Sequence, residues 1–191
     1  MNTSPRVLPD WIEGDGVLLR RWRVEDAEAL GRAVTESREH LRPWMHFIAH
    51  EPMALSERRA MLRTWELEWL AGGDVLLGIF VGEEVAGGCG LHRRLGPCAL
   101  EMGYWVHPSF VRQGLGTAVA RLLTDAAFSV PGISHVEIHT AKANLASAAI
   151  PRRLGYEYLG ETEGERTAPP ELGVDCGWRV DRAQWQRLSA G

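Results

Sequence analysis

One stretch in the middle of the chain carries three apolar runs in succession, and it constrains the fold more than any other feature. The first run, Val75–Val81, is almost continuously apolar, which is typical of a strand buried on both faces. A turn at Gly82 separates it from a second run over Val85–Leu95. Gly96-Pro97 separates that run from a third over Cys98–Val106. The spacing predicts a three-stranded meander at the centre of the fold.

The segments on either side of the meander alternate between helical and strand periodicity. Apolar residues show helical spacing over Val24–Val34, and Ser56 is the predicted N-cap of a second helix that ends at Gly72–Gly73. The other predicted elements are strand Gly16–Trp22, helix Gly114–Phe128, strand Ser134–Ala141, helix Asn144–Leu154, strands Tyr156–Glu161 and Val174–Val180, and a helical turn over Arg182–Leu188. This order predicts one α/β domain over residues 1–191, with its core over about 16–188, around a mixed sheet.

Composition excludes several classes of protein. The chain has 191 residues, of which 45% are apolar and 24% charged, as in ordinary globular domains. No apolar run approaches the roughly 18 residues that cross a bilayer, and the first residues lack a signal-peptide pattern. The net charge of −4 argues against a broad nucleic-acid surface. Cys89, Cys98 and Cys176 lack zinc or redox spacing, so we expect reduced core residues in a cytoplasmic protein.

A glycine-containing loop follows the third strand of the meander and opens a helix. The first N–H groups of a helix have no partner within it, and the helix dipole adds partial positive charge there. A diphosphate is the natural ligand of such a site. The loop has neither the Gly-Lys-Ser/Thr of a Walker motif nor the third glycine of a dinucleotide fingerprint. An ordinary glycine-rich helix entry is the alternative. The loop consists of Val111, Arg112, Gln113, Gly114, Leu115, Gly116 and Thr117.

A second segment, from Asn144 to the Leu154-Gly155-Tyr156 sequence, follows the next predicted strand. Together the two segments resemble the GNAT superfamily of acyl-CoA-dependent N-acyltransferases. The Glu101-Met102-Gly103-Tyr104-Trp105 strand and the Leu41-Arg42-Pro43-Trp44 loop are similar to the RimJ/RimL branch, the ribosomal-protein N-terminal acetyltransferases. The resemblance covers roughly Gly16 to Trp185.

The resemblance implies a GNAT fold, in which a single mixed, mostly antiparallel sheet is flanked by helices and splayed between its fourth and fifth strands. It implies acetyl-CoA or another acyl-CoA as co-substrate, and no metal. The diphosphate would lie on the loop from Val111 to Thr117, the pantetheine would pair with Trp105 and Val106, and Asn144 would contribute to the same site.

Two positions depart from the family pattern. The loop usually begins with Arg or Gln where this chain has Val111, which removes a side-chain contact and leaves the backbone amides. Many GNAT enzymes carry a Tyr seven residues after the Asn, as the acid that protonates the leaving thiolate, and this chain has Pro151 there. In the RimJ/RimL branch, the residue that typically takes the place of that Tyr corresponds to Ser147. The alternative to this catalytic role is that Ser147 is a local helix cap.

The chemistry requires a neutral amine to attack a thioester carbonyl. The resemblance places a base on the strand that carries Glu101, and a carboxylate acting through a water would suffice for an α-amine. The alternative for Glu101 is an ion pair with an arginine. A thiol leaving group has a pKa near 8.5, so weak proton donation from Ser147 or a water is adequate.

Two regions are candidates for contact with the acceptor. The segment Leu41–Pro52 holds Trp44, His46 and Phe47, and it either lines a pocket or packs as a lid on the core. On the strand Ser134–Ala141, residues 135, 137 and 139 share one face but spread over about 13 Å, too far for a single zinc. We interpret this as a solvated strand face, from which His139 can touch the acceptor or act as an alternative base.

The sequence therefore predicts transfer of an acyl group, acetyl first, from acyl-CoA to a primary amine, with a protein or peptide N-terminus as the expected acceptor. Acetylation of a small amine, such as an antibiotic or a polyamine, is the alternative within enzymes. A GNAT domain that binds CoA as a sensor or scaffold is the alternative outside them. The sequence does not determine which acyl group is transferred. It also does not determine the oligomeric state, for which a homodimer is one alternative.

Overall fold

The computed structural model describes residues 8–163 and 173–190. Within this part of the chain, the strands are β1 (Trp11–Gly14), β2 (Val17–Arg21), β3 (Val75–Val81), β4 (Glu84–His92), β5 (Ala99–Val106), β6 (His135–Ala141), β7 (Glu157–Glu163) and β8 (Val174–Asp181). The helices are α1 (Ala27–Leu41), α2 (Leu55–Leu70), α3 (Leu115–Ser129), α4 (Leu145–Arg153) and α5 (Arg182–Ser189). The strands form one sheet in the order β1-β2-β3-β4-β5-β6-β8-β7. The predicted meander is confirmed as β3, β4 and β5.

The sequence interpretation missed β1, which pairs antiparallel with β2 at the edge of the sheet. The two strands are joined by Asp15 and Gly16, whose φ angles are 54° and 74°. Asp-Gly with two positive φ angles is the usual composition of a two-residue hairpin turn. β1 was overlooked because its four residues are partly or fully exposed and show no apolar run.

Both helices before the meander differ from prediction at their ends. A 3₁₀ turn over Val24–Asp26 precedes α1, and α1 continues to Leu41, since its buried face continues beyond Val34. Ser56 is not the N-cap of α2; the N-cap is Ala54, so the helix begins at Leu55, two residues earlier than predicted. The Glu57 carboxylate accepts the Ala54 N–H at 3.0 Å, so an acidic side chain caps this helix in place of a hydroxyl.

The sheet is covered on both faces. α3 packs on one face, where the fully buried Leu77, Leu91, Met102 and Leu123 belong to one large apolar cluster. α1 and α2 pack on the other face, in a smaller cluster that includes Phe80. Side chains of alternate residues on a strand point to opposite faces, so each central strand contributes to both clusters.

The sheet forks between β5 and β6, which form its one parallel pair in the described residues. Their pairing runs from Ala99↔His135 to Met102↔Ile138 and stops there. β5 nevertheless extends to Val106 and β6 to Ala141, so the two strands diverge at their carboxyl ends. Because β1 was not predicted, the strand numbers shift by one, and β5 and β6 are the predicted fourth and fifth strands. The mixed, mostly antiparallel, splayed sheet is therefore confirmed.

Two further sequence expectations concern cysteines and membranes. Cys89 and Cys176 are buried free thiols, whereas Cys98 is exposed, so its assignment to the core was wrong. Cys98 lies in the turn before β5, one residue before the strand begins, so its side chain is exposed to solvent. No helix in residues 8–163 or 173–190 is long and apolar enough to cross a membrane.

Candidate active site at the fork

The loop after β5 presents free backbone amides at the open end of the fork. Arg112 and Gly114 have φ angles of 60° and 82°, which turn the chain sharply before α3 begins at Leu115. Among the described residues, the amides of 112–116 have no backbone acceptor, whereas Thr117 and Ala118 both donate to the Gly114 carbonyl. Free N–H groups and the N-terminal dipole of α3 make this loop suited to an anion such as a diphosphate.

The two glycines of the loop serve different purposes. A Cβ on Gly114 would meet nothing within 4 Å, so this glycine is needed for its backbone conformation. A Cβ on Gly116 would lie 2.8 Å from Cδ1 of Ile150, so this glycine lets α3 pack closely on α4. Gly114 therefore shapes the loop, and Gly116 has a packing role.

His107 anchors the loop, although the sequence interpretation did not single it out. Its Nδ1 accepts the Ser109 N–H at 3.2 Å, and its Nε2 lies 3.1 Å from Oε2 of Glu36 on α1. Because Nδ1 accepts, a neutral ring carries its proton on Nε2 and donates it to Glu36. This buried ring therefore ties the start of the loop to α1.

A cation from α4 lies beside the same helix N-terminus. Arg153 donates from its guanidinium to Oγ1 of Thr117 at 3.2 Å, although its side chain remains exposed. Positive charge at this place complements the free amides of the loop. The only sequence signal for it was the Arg152-Arg153 pair at the end of α4.

Asn144 and Ser147 form the N-terminus of α4, opposite the loop. The Asn144 side-chain oxygen accepts the Ser147 N–H at 3.1 Å, so Asn144 caps this helix. The Ser147 hydroxyl lies 3.5 Å from the Tyr104 hydroxyl, which belongs to the diverging end of β5. The fork thus brings Ser147 to β5, and it adds Tyr104, which the sequence interpretation did not select.

Tyr104 supplies a phenol beside Ser147, in a chain whose α4 carries Pro151 where many GNAT enzymes carry a Tyr. Burial raises the pKa of Tyr104 to about 12, while the hydrogen bond with Ser147 acts in the opposite direction. The phenol therefore stays protonated at neutral pH and can donate a hydrogen bond. A search for a Tyr seven residues after Asn144 could not find this phenol, because Tyr104 lies on β5 and not on α4.

Glu101, Gly103 and Trp105 lie on the other face of β5, away from Tyr104. The Glu101 side chain is 19% exposed, and its Oε2 lies 3.6 Å from Nε of Arg94. The distance and the exposure of Arg94 make this a weak surface ion pair. The arginine partner that the sequence left open is present, and the Glu101 carboxylate remains accessible.

The aromatic segment after α1 reaches this same face. The Phe47 ring lies 6.3 Å from the Trp105 ring, and both pack on the smaller apolar cluster. Trp44 is half-buried and His46 exposed, and neither makes a ring contact or hydrogen bond with β5 among the described residues. Glu51 and Arg58 hold the segment with a buried ion pair of 2.7 Å. Phe47 is therefore the member of the predicted trio placed next to the fork.

The polar face of β6 is solvated at His139, as predicted, but not at Glu137, which is buried. Its carboxylate binds Nε of Arg179 at 2.9 Å and Nε2 of His139 at 2.9 Å. Burial opposes ionisation of Glu137, but these hydrogen bonds outweigh it and lower the pKa. The face was misjudged because Arg179 comes from β8, far along the chain. No cluster suited to a metal ion occurs in the described residues.

Along the fork, β5 offers an edge without a strand partner from Gly103 to Val106. Trp105 and Val106, the predicted partners of pantetheine, lie on that edge. The acetyltransferase (GNAT) domain family matches residues 17–157. The chain belongs to the GNAT acetyltransferase family. It is an N-acetyltransferase with the fold and the CoA-binding architecture of that family.

Known proteins similar to this GNAT chain include ribosomal-protein acetyltransferases. A Bacillus subtilis (strain 168) protein named "Putative ribosomal N-acetyltransferase YdaF" is 26% identical over 142 residues, which are 73% of this chain and 77% of that protein. A structure of RimL, named ribosomal L7/L12 alpha-N-protein acetyltransferase, in complex with coenzyme A has a TM-score of 0.80 and 20% identity over 92% of this chain and 97% of that one.

A third relative acts in a different setting. The microcin C7 self-immunity acetyltransferase MccE, solved with acetyl-CoA and AMP, has a TM-score of 0.82 and 16% identity over 92% of this chain and 98% of that one. At these identities the structural likenesses show the fold. The RimJ/RimL-like branch is supported by the names of the relatives.

The loop geometry leads to a prediction about CoA binding. Gly114→Asp places a carboxylate in open space beside the free amides, so like charge should raise the dissociation constant for acetyl-CoA at least tenfold, or about 1.4 kcal/mol. Calorimetric titration measures it. Gly82→Asp is the matched control, because Gly82 also has a positive φ of 60° and open space around it. Equal affinities in the two folded variants would place the diphosphate elsewhere.

Proposed function

We propose that this chain transfers an acetyl group from acetyl-CoA to the α-amine at the N-terminus of a peptide or protein. The observation that carries the proposal is the forked sheet. One side of the fork presents an unpaired strand edge and free amides for the CoA chain. The other face of the same strand presents Glu101 and Trp105, with Phe47 of the segment after α1 beside Trp105, to an acceptor. The names of the RimL and YdaF relatives support a protein N-terminus.

In this proposal the acyl-CoA lies along the fork. The amides of Arg112–Gly116 hold the diphosphate, with Arg153 and the α3 dipole adding positive charge. The free edge of β5 at Trp105 and Val106 holds the pantetheine, and Asn144 closes the site from the N-terminus of α4. The thioester then lies at the free edge of β5, with Ser147 and Tyr104 on one face of the strand and Glu101 on the other.

The reaction begins when the acceptor ammonium loses a proton towards Glu101, directly or through a water. The nitrogen lone pair then attacks the thioester carbonyl carbon, and the carbonyl electron pair moves to oxygen. A backbone N–H at Trp105 or Val106 stabilises that oxyanion. When the oxyanion collapses, the C–S bond breaks and the nitrogen releases its second proton. The thiolate is protonated from solvent through Ser147, while Tyr104 orients the serine hydroxyl.

The small-amine alternative has support of its own in the likeness to MccE, whose structure contains AMP. The aromatic pair Phe47–Trp105 could stack a planar ring as well as contact a peptide. The sensor alternative rests on Val111 and Pro151, the two departures from the family pattern. The three alternatives differ in whether an acceptor is turned over and in what kind of acceptor it is.

Release of free CoA thiol tests the proposal at its first step. With acetyl-CoA and peptides that have free N-termini, we expect release at a rate that rises with peptide concentration and saturates. The same assay with succinyl-CoA shows which acyl-CoA the enzyme uses as donor. Turnover confined to small non-peptide amines would favour the first alternative. Binding of acetyl-CoA without acceptor-dependent release across peptides, polyamines and amino sugars would favour the sensor.

A further inference from the structure

A second histidine–carboxylate pair lies on the acceptor face, outside the residues used so far. Nδ1 of His92, at the end of β4, lies 2.6 Å from Oδ2 of Asp74. The other Asp74 oxygen accepts the Arg93 N–H at 2.8 Å, so the carboxylate is held from two directions. Burial opposes ionisation of Asp74, but these two hydrogen bonds outweigh it and lower the pKa. An ionised Asp74 keeps the ring proton on Nδ1 and leaves Nε2 with a free lone pair.

That free nitrogen points to the base of the fork. Gly90 on β4 and Gly103 on β5 are register partners, and neither has a side chain. Nε2 of His92 lies 3.5 Å from where a Gly90 Cβ would be and 3.6 Å from where a Gly103 Cβ would be. Gly103 is the first residue of β5 after the pairing with β6 ends. Among the described residues, Nε2 has no hydrogen-bond partner.

Gly103 makes a floor without a side chain beneath the imidazole, whereas the space over Gly90 is filled by Leu76, whose Cδ2 would lie 2.7 Å from a Gly90 Cβ. Within 4 Å of a Gly103 Cβ there is no atom besides those of His92. Glycine inside a strand is costly for stability and commonly marks a place where a ligand approaches the backbone closely. The floor lies on the face that carries Glu101 and Trp105, and so on the acceptor side of the proposed thioester position.

Charged groups surround the ring from each neighbouring element. Glu101 on β5 is the direct register partner of His92. Asp74 approaches from the residue before β3, and Arg94 follows β4 and pairs weakly with Glu101. Two carboxylates and one exposed arginine give a site that attracts an ammonium group. Carboxylates are weak bases for an ammonium in water, whereas imidazole changes its charge between about pH 5 and 8 and matches a reaction at neutral pH.

We propose that Nε2 of His92 is the final acceptor of the proton that leaves the acceptor ammonium by way of Glu101, with Asp74 as the positioning residue of His92. This inference rests on the proposed function. The N–H bond of the ammonium breaks, and the proton passes through the Glu101 carboxylate, or a water beside it, to Nε2. The nitrogen keeps its electron pair and attacks the thioester carbonyl carbon. Asp74 stabilises the imidazolium until it returns the proton to solvent.

The test compares His92→Gln with wild type, measuring kcat/KM for a peptide acceptor from pH 5.5 to 9. We expect a fivefold to tenfold loss at pH 7, carried by kcat, and a flatter profile between pH 5.5 and 8. Acetyl-CoA affinity should be unchanged by calorimetry. Asp74→Asn should lower kcat in the same direction but less. His135→Gln is the matched control, since His135 lies on β6 with its Nδ1 bonded to Ser134.

A second variant separates chemistry from structure. In His92→Ala, added imidazole should restore part of the lost kcat, because a free base can occupy the space above the glycine floor. Wild-type kcat/KM in His92→Gln at every pH would overturn the inference, as would a loss that imidazole does not rescue and that comes with weaker acetyl-CoA binding. A wild-type enzyme without turnover on any amine would instead overturn the proposed function itself.

Discussion

Glu101→Gln is expected to lower kcat/KM for a peptide acceptor about 100-fold at pH 7, the lower end of the range for general acid–base groups. Glutamine has the same size as glutamate, but it neither attracts an ammonium nor accepts its proton. The loss should be largest on the acid side, where more of the acceptor is protonated. Acetyl-CoA affinity should not change, because Glu101 lies on the face of β5 away from Tyr104 and α4. Steady-state kinetics and calorimetry measure both quantities.

Arg94→Gln distinguishes the catalytic role from a structural one. If Glu101 served only to pair with Arg94, removing the arginine would reproduce the loss seen in Glu101→Gln. The 3.6 Å contact and the exposure of Arg94 predict an effect below threefold for this variant. Glu157→Gln, on the exposed strand β7, controls for removal of a carboxylate. Wild-type rates for Glu101→Gln from pH 6 to 9 would exclude Glu101 from the proton steps.

The second large effect concerns the choice of acceptor. An α-amine has a pKa near 8 and a lysine amine a pKa near 10.4, so at neutral pH the α-amine is neutral about 100 times more often. The described acceptor face offers carboxylates and an imidazole that all stay partly exposed to solvent, so it does little to desolvate a lysine. We therefore expect α-amines to be preferred over lysine amines by about two orders of magnitude in kcat/KM.

The local parts of this enzyme could be predicted from sequence. Apolar runs and turn residues predicted the meander, because burial and turn formation depend on adjacent residues. The Gly114 loop and the Asn144 helix were predicted for the same reason. The hairpin at Asp15-Gly16 carried an equally local signal, and β1 was still missed because its residues are exposed.

The non-local parts could not be predicted in that way. His92 and Glu101 become neighbours only through the β4–β5 register, and Glu137 is buried only because Arg179 arrives from β8. Tyr104 reaches Ser147 across the fork, from 43 residues away along the chain. Glycines inside strands are a local signal of close approach by a ligand or another backbone, and Gly103 is such a position at the fork.

The errors at single residues have a common physical origin. Ser56 was chosen as a cap by residue type, but Glu57 reaches the N-terminal amide, because a longer side chain can cap from inside the first turn. Cys98 was assigned to the core by composition, although its position in a turn exposes it. In both cases the structural context of the residue along the chain, and not the usual preference of its residue type, determined its role or burial.

The site of acetylation, found by mass spectrometry, shows whether this enzyme acts on the α-amine of a peptide N-terminus. Matched peptides carrying one free α-amine and one lysine are incubated with enzyme and acetyl-CoA, in three forms: unblocked, blocked at the N-terminus, and blocked at lysine. The account predicts acetylation of the α-amine in the unblocked and lysine-blocked peptides, and none above background in the N-terminally blocked peptide. Predominant lysine acetylation, or activity confined to a small non-peptide amine, would contradict it.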